Sequence, residues 1–429
     1  MSREMKYSGA EWIGKIPKNW ATIPLKRLSK RQTGSSPDKK EGNNNYSDES
    51  GIPWIKAENL GGFFPIHSTS EYLTENGCKL GRLYPPYTVY VCCIASIGKV
   101  GFSDIECSCN QQINGLSFNN IVNWKFGFYE TLASAIEHIA RSNKSVTPIL
   151  NATEEGKIKF AIPSPTEQQQ IVHFLDRKCT AIDTAIEKTK KSIEKLEEYK
   201  KAVITKAVTK GIDPNAKMKD SGVEWIGEIP EGWEVKQLRT YFSRRINKNI
   251  HLQEKNLLSL SYGRIVRKNI DTKEGLLPES FDGYNIIEDG DIVIRGTDLQ
   301  NDHRSLRTGL VTERGIITSA YMTLRPQKDV NSTYYHYLLH CYDISKVFYS
   351  MGGGLRQSLD YWEFIRMPVL HPTDREQEEI VSYIKTKCTA IDNAIEKKKK
   401  AIEKWEEYKK SLIYYAVTGK IDCRNEVIE

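Results

Sequence analysis

No stretch of this 429-residue chain approaches the ~18–20 consecutive apolar residues that cross a bilayer. The opening MSREMKYSGAEWIGKIPKNW has no apolar core of the kind a secretory signal carries, so a cytoplasmic protein is expected. Cysteine is sparse: nine residues, an odd number, with no C-x-x-C pair. That disfavours a zinc knuckle, a thioredoxin-like motif or a disulfide framework, and leaves reduced thiols as the simple reading. One-sided charge is lacking too. The 62 basic and 55 acidic residues leave a net +7, spread so that no segment is a polycation. Binding nucleic acid by bulk charge is thus not indicated, and any such contact has to use local basic loops.

Motifs for catalysis are also missing. GGG at 352–354 is not a dinucleotide loop, no Walker A occurs, and Gly98-Lys99 is followed by Val100 rather than Ser or Thr. YPPY at 84–87 has the outline of an amino-methyltransferase loop, but Tyr84 stands where an amide or carboxylate side chain is needed. No glycine-rich S-adenosylmethionine loop precedes it. D-T-K at 271–273 and the C-x-C of Cys107 and Cys109 are each too common to carry a site. No catalytic residue and no metal site is expected.

What the sequence does contain is a repeat. SGAEWIGKIPKNW (8–20) returns as SGVEWIGEIPEGW (221–233), and from Met5 and Met218 onward 11 of 16 positions are identical. The block at 179–209 returns at 388–418 with 23 of 31 positions identical. Between the blocks lie interiors of 158 and 154 residues with no comparable identity. A period near 210 is too long for a solenoid and reads as domain duplication. Drift alone does not spare the ends and scramble only the middles. A shared symmetric scaffold carrying two different recognisers fits better.

The shared block has the 3–4 alternation of a coiled coil. Leu175, Ile182 and Leu196 lie on one seam of the first copy, with Ile186 and Ile193 on the other. In the second copy Ile384, Ile391 and Trp405 face Ile395 and Ile402 in the same way. Two near-identical stripes in one chain most simply pack on each other, over a helix of about 43 residues and ~65 Å. Thr166 and Thr373 are expected near the N-caps, with Glu167 and Glu376 in the first turns. The lysine runs at 188–191 and 397–400 alternate with Glu and read as solvated faces. The fold class expected is α+β: two globular domains separated by a pair of long coiled-coil helices. The boundaries are 1–165 and 211–374 for the globules, 166–210 and 375–419 for the helices, and 420–429 for a tail.

Each interior mixes β-rich runs, such as 87–102, 289–299 and 314–326, with helical stretches at 127–140 and 334–350. Basic, amide-rich loops interrupt them at 25–45, 110–112, 141–145, 242–249, 261–269, 301–307 and 352–358. Arg and Lys suit guanine edges and phosphates, and Asn and Gln suit adenine edges. Solvated loops share that composition, so both readings stand at this point.

With these pieces assembled, the chain resembles the specificity subunit of type I restriction-modification systems, HsdS. The resemblance rests on the doubled EWIG-x-IP-x-x-W and on the EQ-x-x-IV openings at 167–172 and 376–381. It rests also on the paired CTAID…EKLEEYKK and CTAID…EKWEEYKK helices. TGSSP (33–37), IPWIKAENL (52–60), GDIVIRGTDL (290–299) and GGGLRQSL (352–359) look like pieces of its target-recognition domains. The resemblance implies a non-catalytic subunit whose two recognition domains each read half of a bipartite asymmetric site in double-stranded DNA. It implies an antiparallel pair of helices that docks two methyltransferase (HsdM) subunits, with two restriction/translocase (HsdR) subunits joining them. S-adenosylmethionine, ATP and magnesium are then expected on those partners, with no cofactor on this chain. Stand-alone bipartite regulator, single-chain methyltransferase or nuclease, and protein-only scaffold are the rivals. Candidate DNA contacts in the first interior are Arg31, Lys39, Lys40, Lys56, the Asn59-Leu60 pair, Gln111, Gln112, Asn143 and Lys144. In the second they are Arg244, Arg245, Lys248, Arg264, Arg267, Arg295, Arg304, Arg356 and Gln357.

Overall fold

The computed structural model describes residues 3–39, 44–143, 145–271, 280–299, 306–351 and 358–425. The chain forms two compact units, Met1–Thr189 with Lys399–Glu429, and Lys190–Lys398. The division falls inside both long helices, Pro165–Lys210 and Asp374–Val417, because each globule packs against the end of one helix and the start of the other.

In unit 1 a hairpin, Met5–Tyr7 with Lys15–Pro17, leads into Ala21–Pro24, which pairs antiparallel with Lys159–Ile162. A four-stranded antiparallel sheet follows, in the order Val100–Ser103, Thr88–Cys92, Ile113–Phe118, Ser29–Thr33. Thr88–Cys92 is buried along its whole length, as its run of β-branched and aromatic residues leads one to expect of a central strand. Helix Trp124–Ala133, N-capped by the Asn123 side chain, covers this sheet with Phe126, Phe128 and Tyr129. Ala135–Arg141 continues it after a break at Ser134, so the stretch expected at 127–140 is two helices rather than one. A second sheet of five short strands, Tyr46–Ser47, Tyr72–Leu73, Ile52–Ile55, Cys107–Cys109 and Leu83–Tyr84, contains one parallel pairing.

Unit 2 repeats the frame. Met218–Asp220 pairs with Glu228–Pro230, and Glu234–Gln237 pairs with Pro368–His371. Its four-stranded sheet runs Thr308–Leu310, Ile292–Ile294, Met322–Pro326, Phe242–Arg244, covered by helix Ser332–Ile344 with Asn331 as cap. The order matches unit 1 strand for strand, although the sequences between the shared blocks do not. Among the described residues no five-stranded sheet accompanies it. Two separate two-stranded pairings, Leu258–Ser261 with Arg264–Arg267 and Asn285–Ile287 with Gly315–Ile317, occupy the rest of its described β structure.

The helix starts differ in detail from expectation. Pro165 is the first residue of its helix, where its missing N–H costs nothing, and Ser164 rather than Thr166 accepts from the Glu167 amide. Thr373 does cap the second helix, in a capping box with Glu376: each side chain takes the other's backbone N–H.

Candidate nucleic-acid interface

The repeated motifs turn out to be a latch. The buried Trp20 indole donates to the Glu167 carboxylate at 2.9 Å, and the buried Trp233 indole donates to Glu376 at 3.2 Å. Thus the last residue of EWIG-x-IP-x-x-W holds the first turn of the long helix in its own unit. Gln168 and Gln377, the next residues, are buried and donate to the backbone carbonyls of Pro163 and Pro372. Each repeated block therefore fixes a recogniser to a helix start.

The helix segments run antiparallel inside each unit. In unit 1 Asp183 pairs with Lys409 and Gln170 reaches the carbonyl of Arg424, while Leu175 and Leu412 share the core. In unit 2 Lys200 pairs with Asp392 at 2.7 Å, and Ile204 and Val208 share a core with Ile380 and Ile384. Asp183 and Asp392 are equivalent in the repeat, as are Lys200 and Lys409. Each ion pair thus joins the two copies in the same way. Ile186, Ile391 and Ile395 are buried, whereas Ile182, Ile193, Leu196, Ile402 and Trp405 are half-buried.

The candidate DNA contacts separate by what they touch. Arg31 points inward, donating to the Ala152 carbonyl at 3.4 Å and lying close enough to the buried Glu155 to favour its charged form. Arg245 is mostly buried in an ion pair with Asp291 and a second with Glu288 at 3.1 Å. Arg267 pairs with Glu313. Lys248 donates to the Gly283 carbonyl at 2.8 Å. Asn143 closes its own loop by accepting from the Ile149 amide, and Asn59 caps a short turn by accepting from the Lys56 amide. Leu60 is buried in the core. Gln112 bonds to Asn110, and Gln111 accepts from Ser36. Arg295 is half-buried at the end of a sheet strand. Lys40, Lys144, Arg304, Arg356 and Gln357 lie outside the described residues.

Two sets of candidates remain, one in each unit. Lys39 and Lys56 both pair with Glu71 beside a Tyr46–Trp54 edge contact, with Lys39 4.6 Å from the Tyr46 ring centroid and Lys56 5.4 Å from that of Trp54. Hydrogen bonds from Lys39 and then Lys56 hold the Glu71 carboxyl below its ordinary value. Burial, aided by the Glu71 charge, pushes the Tyr46 phenol up to about 12. In unit 2 Arg244 lies 5.2 Å from the Tyr361 ring, exposed. Arg264 is exposed with no ion pair to a described residue.

Several polar groups that resemble chemistry are closed inside the fold. Glu155 accepts from the Asn114 amide at 2.9 Å, with Cys93 Sγ at 3.7 Å and His138 Nε2 at 3.8 Å. Burial raises Glu155 to about 7 and lowers His138 to about 4, so both are mostly neutral near pH 6. All four of these side chains are buried, which leaves no path for a substrate. Tyr84 of YPPY is buried with its hydroxyl on the Gln32 carbonyl, and its ring lies over Gly115, where any Cβ would collide with it. The sequence reading held that the histidines contain no H-x-x-x-H pair, but His336 and His340 have that i, i+4 spacing. Burial lowers both, and among the described residues no group of three His, Cys, Asp or Glu could hold a metal. No helix of the described residues is long and apolar enough to cross a membrane. Sequence reasoning also missed Arg307. Its fully buried guanidinium donates to the carbonyls of Arg295, Thr297 and Asp298, stapling a loop from within.

Residues 17–198 match the family model described as the type I restriction modification DNA specificity domain. That stretch is similar to a type I specificity domain. That match runs from the last residue of the latch hairpin through most of the first long helix. Among curated proteins, the putative type I restriction enzyme MjaX specificity subunit of Methanocaldococcus jannaschii is 28% identical over 278 residues, covering 63% of this chain and 61% of that protein. The chain therefore spans about six tenths of that relative's length. A solved chain from work on complex assembly and conformational transition of the type I R-M system has a TM-score of 0.69 at 12% identity, over 95% of this chain and 99% of that one. The HsdS subunit from Thermoanaerobacter tengcongensis gives 0.51 at 13% identity, over 95% and 98%. At such identity these two likenesses bear on the fold alone: α+β with two globular parts and long helices, shared along nearly the whole chain.

Proposed function

We propose that the chain is the sequence-specificity subunit of a type I restriction-modification complex. Each unit reads one half of a bipartite, asymmetric site in double-stranded DNA. The observation that carries this reading is a single frame built twice, with the same latch and the same four-strand order, that holds two different outer surfaces. A frame duplicated for one ligand would have no use for different surfaces. The long helices dock two methyltransferase subunits, and two restriction/translocase subunits complete the assembly in the cytoplasm. S-adenosylmethionine, ATP and magnesium belong to those partners, and this chain contributes recognition without catalysis.

The test is co-expression with a methyltransferase subunit of such a system, followed by sequencing of modified bases. An asymmetric bipartite adenine-methylation motif that depends on this chain is expected. Methylation without the chain, or a motif with one half only, refutes the proposal.

A further inference from the structure

The hairpin Leu258–Ser261 with Arg264–Arg267 has a two-residue turn, Tyr262-Gly263, because Ser261 pairs with Arg264. Both turn residues have positive φ, 47° and 75°, which is the type I′ geometry. Asn, Asp or Gly is the usual choice at the first of these positions. A bulky aromatic there is an outlier that costs conformational energy. Gly263 is explained by packing, since a Cβ would lie 3.1 Å from Leu306. That contact also anchors the tip. Tyr262 has no such explanation within the fold: it is 86% exposed and makes no ring contact or hydrogen bond with a described residue.

The two faces of the hairpin differ in the same direction. Leu258, Leu260 and Ile265 pack inward on the sheet. The outward face is Ser259, Ser261, Arg264 and Val266, followed by the exposed Lys268. It contains no acidic residue, and Arg264 has no counter-ion among the described residues. A two-stranded ribbon has the right width for a DNA major groove. Hydroxyls, a free guanidinium and an unpartnered aromatic ring suit bases and phosphates better than they suit water.

We propose that this hairpin is the element by which unit 2 enters the groove of its half-site. Tyr262 packs its ring against the bases, and Arg264 closes on a neighbouring phosphate. The proposal rests on the specificity-subunit reading and deepens it by naming the inserted element. It also accounts for the strained turn, because stability given up at the tip is recovered as binding.

The test uses the complex with the methyltransferase subunit and a duplex carrying the motif that methylation sequencing identifies. Binding is measured by anisotropy between about 50 and 200 mM salt, the range over which phosphate contacts show themselves. Tyr262→Asn relaxes the turn, so its melting temperature should stay level or rise. Its affinity should fall about tenfold or more, as loss of a base–aromatic contact requires, with the salt slope unchanged. Tyr262→Phe should bind within about twofold of the original, since it keeps the ring that stacks. Arg264→Ala should lower the salt slope by about one. If the original complex yields a bipartite motif but Tyr262→Asn binds it undiminished, the hairpin assignment is wrong while the specificity reading stands. If the variant instead loses the methyltransferase subunit and keeps its affinity for DNA, the tip is a protein contact and the proposal is overturned. If the original complex yields no motif, the reading and the proposal fall together.

Discussion

Units 1 and 2 have the same latch, the same four-strand order and equivalent Asp–Lys pairs, yet they differ wherever the frame allows it. Unit 1 carries a five-stranded sheet on which Lys39, Lys56 and Tyr46 lie over the buried Trp54. Unit 2 carries a narrow hairpin with an exposed tyrosine. The cores diverge too. The short helix Ala152–Glu155 buries Glu155 among Asn114, Cys93 and His138. Its counterpart Tyr361–Phe364 places the buried Phe364 at the equivalent position. What persists between the copies is what joins recogniser to helix, and what varies is what the recogniser presents. Duplication fixed an assembly rule and left the surface free to change.

The comparison breaks most severely at the latch. Trp20→Ala and Trp233→Ala each empty a fully buried site, and each should cost about 3–5 kcal/mol. Hydrogen exchange should show protection lost first in the unit that carries the substitution. Equal loss in both units from either change would show that the two frames stand or fall as one. Glu167 keeps a 2.5 Å ion pair with Arg3 that Glu376 lacks, so its helix start should fray less of the two.

Buried Glu155 gives unit 1 a titrating group at a position where unit 2 has Phe364. Glu155 is raised from 4.5 to about 7, so the folded state holds a proton that the unfolded chain releases. Its contribution to stability is complete below pH 4.5 and is lost as pH rises through 7. The shift corresponds to about 3 kcal/mol. His138, lowered to about 4, acts in the opposite sense and costs stability as pH falls below 6.5. Glu155→Gln cancels only the first effect. The stability difference between the two proteins should therefore change by about 3 kcal/mol between pH 4 and pH 8. A constant difference across that range would mean that Glu155 does not titrate as placed.

The equivalent ion pairs should prove unequal. Lys409 lies 3.3 Å from the Phe63 ring centroid with a side chain only 8% exposed, whereas the Lys200 side chain is 25% exposed. Asp183→Ala leaves a buried ammonium behind and should cost about 3 kcal/mol. Asp392→Ala leaves one that water reaches and should cost about 1 kcal/mol or less. Urea titration of both variants measures this, and equal costs would remove the role assigned to Phe63.

Much of this fold was readable from the chain, for reasons that also mark the limit. The helices announce themselves through a long seven-residue period, and strands such as Thr88–Cys92 through composition. Strand order was not readable, because pairing is decided by tertiary contacts between segments far apart, and the two interiors reach one order with different residues. Which candidate contacts face outward was not readable either. Arg31 and Arg245 sit in loops or strands rich in polar residues, and composition does not reveal that a guanidinium turns inward to a carbonyl or a carboxylate. Tyr262 was overlooked because Tyr-Gly does not announce a type I′ turn as Asn-Gly does.

The smallest expected effect tests which basic residues of unit 1 face DNA. Lys39 is exposed, and its partner Glu71 keeps Lys56 when Lys39 is removed. Lys39→Ala should therefore leave stability within about 0.5 kcal/mol, as surface changes do. If Lys39 grips a phosphate of the first half-site, the salt slope of binding should fall by about one, with an affinity loss spread evenly over DNA sequences. Arg31→Ala offers the contrast, because that guanidinium lies against Ala152 and Glu155. It should lower stability and leave the salt slope alone. A slope change with Arg31→Ala and none with Lys39→Ala would reverse the assignment, placing the DNA on the side of the four-stranded sheet instead of beside Trp54.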